Sequence, residues 1–160
     1  MTKFRGKKSI SPEIVESFFC DHLPYEIRMF RALLVEMYRK QSNQIVQNAV
    51  IESIAVHARN LIEFFKNKEA CDFDPRRFTT SDYRPNGNFS RSTLESKLNQ
   101  QVSHLTAERT SDVTKKFGIF LKEIVDAIEN EIGRFENALT PEYRSKWRIA
   151  VKKPQGGQSA

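Results

Sequence analysis

From Tyr25 through Asp74 the chain contains neither glycine nor proline, and no glycine occurs between Lys7 and Asn86. Sheets need frequent reversals, and tight turns recruit Gly, Pro, Asn and Asp for their special backbone angles. A stretch of this length without Gly or Pro is hard to fold into hairpins and reads as long helix. A second proline-free stretch runs from Asn86 through Thr140. The expected fold class is all-α, a helical bundle of about five main helices plus a short C-terminal one.

Caps and spacing place the helices. Ser11-Pro12-Glu13 combines an N-cap, a proline suited to the first helical position and an acid in the first turn. The helix it opens carries Ile14, Val15, Phe18 and Phe19 and is expected to end before Pro24. A second runs from about Pro24 to Lys40, with Ile27, Phe30, Leu33, Leu34 and Met37 at helical spacing. Ser42-Asn43 marks a break. The third, about Asn43 to Lys68, has the stripe Val46, Val50, Ile54, His57, Leu61, Phe64 and Phe65.

Residues 69–91 break the pattern with Asp, Pro and Asn-Gly. They carry Phe73, Phe78, Tyr83 and Phe89 among four arginines, and four acids cancel the arginine charge. The expectation is a long loop pinned over the core by its aromatics, with a lid or single-strand nucleic-acid contact as the alternative. Helix resumes near Ser92 and runs to about Arg109, with Leu94, Leu98, Val102 and Leu105 buried. The last long helix follows Ser111-Asp112 to about Leu139, and its internal Gly118 and Gly133 suggest close helix approach. Thr140-Pro141-Glu142 opens the final short helix. The organisation is thus a basic arm (1–10), one bundle domain (11–151) and a tail expected to be disordered (152–160).

Twelve of the seventeen aromatics are Phe, enough for a real core. No apolar run approaches the roughly 20 residues that span a bilayer, and no secretory signal is visible, so a cytoplasmic protein without membrane contact is expected. Two cysteines, Cys20 and Cys71, are too few for a disulfide scaffold or a four-Cys zinc site. No phosphate-binding glycine loop, H-E-x-x-H, paired C-x-x-C or G-x-S-x-G can be written, and neither metal nor cofactor is expected. The formal charge of +6 sits at the ends: residues 1–8 carry +4, residues 141–160 carry +4, and the body between carries −2. That pattern speaks against a basic groove for nucleic acid across the bundle, while leaving contact through the tails open.

The chemistry-bearing residues fall on two helices. Ser53, His57, Arg59 and Asn60 place four polar groups in the most hydrophobic helix. His57 and Asn60 share one side, and Arg59 has Glu63 at i+4. The fourth helix offers Asn99, His104, Glu108 and Arg109, with His104 and Glu108 one turn apart. Were the two helices neighbours, His57, Arg59 and Asn60 would meet Asn99, His104 and Arg109. A proton-transferring His beside an Arg that stabilises phosphate charge suffices for metal-free RNA cleavage. The alternative is a polar lock between helices.

The segments His57-Ala58-Arg59-Asn60-Leu61 and Asn99…His104-Leu105-Thr106-Ala107-Glu108-Arg109 resemble a family of short, uncharacterised bacterial helical proteins carrying H-x-R-N-L and N-x4-H-L-T-x-x-R motifs. More loosely, the chain resembles the HEPN superfamily, helical bundles that often dimerise and include ribonucleases of toxin–antitoxin and phage-defence systems. The HEPN-like resemblance implies a homodimer and RNA, or an antitoxin-like protein, as partners. His104 would act as acid/base and Arg59 or Arg109 would hold phosphate. His57, Asn60, Asn99 and Glu108 would be binding residues. The superfamily's R-x4–6-H requires Arg five to seven residues before the His, where this chain has Asn99, Leu98 and Lys97. The competing function is a non-enzymatic helical module for protein interaction or dimerisation.

Overall fold

The computed structural model describes residues 10–39, 43–66, 73–86 and 113–152, of which 113–120 and 152 are backbone only. Helix α1 (Pro12–Ser17) passes through a π-helical turn (Phe18–His22) into α2 (Leu23–Met37). Then follow α3 (Gln44–Lys66), a 3₁₀ turn (Pro75–Arg77), α4 (Val113–Ala138) and α5 (Pro141–Lys152). The described residues form no strand, only an isolated bridge between Thr79 and Leu139. The all-α class stands. The region of the fourth expected helix, 92–109, lies outside the described residues, as does Phe89.

The expected break before Pro24 is absent. A proline inside an α-helix lacks the N–H for the ladder, and its ring collides with the carbonyl four residues back. Here the preceding turn widens instead, and the Leu23 N–H donates to the Phe18 carbonyl five residues earlier. The first two predicted helices are therefore one rod that absorbs Pro24, which is buried, without stopping. The N-cap is as expected: the Ser11 hydroxyl accepts from the Ile14 N–H, and its hydrogen bond holds the Glu13 carboxyl below the usual range.

Helix α3 packs along α2 as an antiparallel hairpin and also touches α4. It is buried on two sides, through Val50, Ile54, Leu61 and Phe65 but also Ala55, Ala58 and Ile62. Val46, placed on the stripe by spacing, is exposed because it lies in the first turn, before the hairpin closes. Leu121, Ile124, Ile128, Ile132 and Phe135 turn the apolar side of α4 into this same core, and Leu139 just beyond it does the same. That stripe is consumed inside the subunit over its described part. Across the outside of the bundle, Arg31 makes a bidentate pair with Glu129 at 2.8 and 2.7 Å, tying α2 to α4.

An aromatic cluster closes the end of the bundle. Phe19, fully buried on the π turn, has ring centroids at 4.8 Å from both Phe78 and Tyr143 and at 5.4 Å from Trp147. Phe135 sits edge-on to Phe65 and Trp147 at 5.8 and 5.9 Å. Such pairs contribute about 0.5–1.5 kcal/mol each beyond area burial. Segment 73–86 is pinned over this core by Phe73, Phe78 and Tyr83, as its aromatics suggested. Backbone bonds from Thr80 N–H to the Ala138 carbonyl (2.9 Å) and from Thr140 N–H to the Phe78 carbonyl (3.1 Å) stitch it to the α4–α5 corner. Gly133 answers no close approach among the described residues, since a Cβ there would meet none of them within 4 Å.

Candidate functional site

The polar residues of α3 converge on a partner that the sequence did not single out. Glu26, one turn beyond the π segment, accepts from His57 Nδ1 at 2.7 Å and from Asn60 Nδ2 at 3.1 Å, both on the same oxygen, Oε2. An ionised carboxylate only accepts, so the imidazole proton in this contact sits on Nδ1. His57 is 13% exposed and Glu26 25%. The Tyr25 ring stands edge-on to the imidazole at 6.0 Å. Oε1 of Glu26 has no partner among the described residues.

Arg59 turns away from this cluster. Its Nε donates to Glu63 Oε1 at 2.9 Å, the i,i+4 pair anticipated from spacing, with both side chains well exposed. Ser53 spends its hydroxyl on the Ala49 carbonyl of its own helix at 2.8 Å. His57 and Asn60 are thus brought together and Arg59 is set apart. Asn99, His104, Glu108 and Arg109 lie outside the described residues. No group of three or more His, Cys, Asp or Glu able to hold a metal occurs among the described residues.

Beside the cluster a cleft of about 680 Å³ opens between the α1–π–α2 rod and α3. Phe18, Leu23, Leu61, Phe64 and Phe73 give it apolar walls, and Ser17, His22, Glu26, Asn60 and Glu63 bring polar atoms to it. Glu26 and Asn60 belong to both cluster and cleft, whereas His57 stands behind Glu26 and does not line the opening. His57 therefore orients a carboxylate and presents no proton-transfer group to the cleft itself. The signal for Glu26 was latent in the sequence: it lies 17 residues before Asn43 at the hairpin break, and Asn60 lies 17 after.

A buried acid was also missed. Glu131 on α4 is 1% exposed and receives the Tyr83 hydroxyl at 2.7 Å, the Asn86 N–H at 3.2 Å and Arg134 Nη1 at 3.1 Å. Arg134 Nη2 continues to the Arg84 carbonyl at 2.8 Å. Every partner of Glu131 belongs to the protein, which makes it a tether for segment 83–86. Two further arginines of segment 73–86 are spent nearby as well: Arg76 forks onto Asp74, and Arg84 donates to the Ser81 and Tyr83 carbonyls.

No helix among the described residues is long and apolar enough to cross a membrane. Searches against known protein families, curated proteins and solved structures find no match to this chain.

Proposed function

We propose that the chain is a non-enzymatic helical interaction module whose partner is a second copy of itself. The observation that carries this reading is the free end of the α2–α3 hairpin, where Val35, Tyr38, Ile45 and Val46 are exposed, Tyr38 to 83% and Ile45 to 77%. Single exposed apolar residues are ordinary, but four at one end of one hairpin concentrate there the kind of surface that protein contacts use. A two-fold axis through the hairpin end would pair this patch with itself, as an isologous interface requires. The state of the α3 motif supports the same reading. His57 and Asn60 are engaged with Glu26, and Arg59 with Glu63, so their polar groups lock helices together and hold a surface pair.

Light scattering coupled to size exclusion tests this, with the wild-type chain compared with a Tyr38→Asp/Ile45→Asp variant. The expected result is a dimeric wild type and a monomeric variant with an unchanged thermal melt. A wild type that stays monomeric at about 100 μM, well above the Kd of a specific homodimer, overturns the self-association. Cleavage of single-stranded RNA by the wild type in chelator, lost in His104→Ala, overturns the non-enzymatic reading.

A further inference from the structure

We propose that the cleft between the α1–π–α2 rod and α3 is a binding site for a small organic cation, an amine carried on an aromatic body of one or two rings. Its volume of about 680 Å³ lies within the range of small-molecule sites, and such sites pair apolar walls with a few placed polar groups. This one follows that pattern, with Phe18, Phe64 and Phe73 against Glu26 and Glu63.

Charge selects the ligand's sign. Of the acids on the rod between Ile10 and Ile27, Glu16 is paired with Lys146 at 3.3 Å, and Glu26 is the one that lines the cleft. Arg59, the cation nearest in sequence on the facing helix, is committed to Glu63 and is absent from the lining. With Glu63 paired to Arg59, the carboxylate at the opening that no Lys or Arg pairs among the described residues is Glu26, and its charge attracts a cation and repels an anion.

Glu26 supplies the recognition group. Two donors on Oε2 fix its carboxylate, and Oε1 has no partner among the described residues. A carboxylate already oriented loses little freedom when an ammonium docks on it, and a charge-assisted hydrogen bond is the stronger kind. The π turn adds a separate pointer. Phe18 and His22, its first and last residues, both line the cleft, and π turns recur where a helix is shaped around a function. Here the widened turn sets the rod's path past Pro24 at the opening.

An NMR titration of the full chain tests this with three probes of one shape: tryptamine (cation), indole (neutral) and indole-3-acetate (anion). Tryptamine should bind with amide shifts confined to the cleft, and the anion should bind about tenfold or more weakly. Glu26→Gln should cost tryptamine about tenfold while leaving indole unchanged. Should Glu26→Gln lose its fold, Ser17→Lys decides, because it adds a positive charge at the cleft from an exposed position and should weaken tryptamine several-fold. Equal affinity for cation and anion, no shifts at millimolar tryptamine, or unchanged tryptamine binding in Ser17→Lys each overturns the proposal.

Discussion

The hydroxyl of Tyr83 donates to Glu131 Oε1 at 2.7 Å, across 48 residues of sequence, and both side chains are buried. This contact joins segment 73–86 to the middle of α4. It lets a buried carboxylate persist in an aromatic core, because Asn86 and Arg134 satisfy the second oxygen.

Tyr83→Phe should destabilise the protein by about 1–3 kcal/mol, the usual cost of leaving a buried acceptor unsatisfied. The ring and its edge-on contact with Phe135 at 6.1 Å are kept, so the change isolates the hydroxyl. Urea denaturation monitored by Trp147 fluorescence measures it. A variant as stable as wild type would show that Glu131 finds its donor elsewhere.

The same pair predicts an alkaline limit. Burial, and then the hydrogen bond to Glu131, push the Tyr83 hydroxyl above its ordinary range. In the unfolded chain a tyrosine ionises near pH 10. Below that pH both states hold the proton and the contribution is constant. Above it the unfolded state releases a proton that the folded state keeps, so stability falls as pH rises. The wild type should therefore lose stability faster than Tyr83→Phe above about pH 10, and the gap between them should narrow. Parallel curves from pH 9 to 11 would contradict the assignment, since the other tyrosines and the lysines are common to both proteins.

Neighbouring residues of α3 should behave very differently on truncation. His57→Ala removes one of the two donors that hold Glu26 inside the hairpin and should cost about 1–3 kcal/mol. Arg59→Ala breaks an exposed i,i+4 pair and should stay within about 0.5 kcal/mol of wild type. Thermal melts of the two variants side by side decide the matter, and equal losses would mean that Arg59 has a partner beyond Glu63.

Helix positions were largely readable because they rest on local signals. Ser11 caps, Asn43 accepts from the Ile45 N–H at 2.8 Å, and Thr140-Pro141 opens α5. The 3–4 spacing of Ile124, Ile128, Ile132 and Phe135 names one buried side of α4. What escaped depends on relationships that no local window contains. Pro24 stops a helix only if the turn before it stays α-helical, and the π turn changes that geometry rather than the sequence. Glu26 has nothing unusual around it, and its importance comes from hairpin register, which places it opposite His57 and Asn60. Glu131 sits beside Ile132 on a charged helix and reads as a surface acid. Only the return of segment 83–86 over α4 buries it.

Gly133 lies inside α4, where glycine costs about 1 kcal/mol relative to alanine through backbone entropy. A close neighbour, as the glycine's place in the sequence suggests, would justify that cost. Among the described residues there is none: a Cβ at this position would meet none of them within 4 Å, and the residue keeps helical backbone angles that alanine adopts freely. Gly133→Ala should therefore stabilise the protein by about 1 kcal/mol and raise Tm by about 2–4 °C for a chain of this size. Scanning calorimetry at neutral pH measures this, because both variants retain the Tyr83–Glu131 contact two residues away. A lowered Tm would mean that another surface packs against Gly133, and the module's interface would then have to be sought on this face of α4 instead of at the hairpin end.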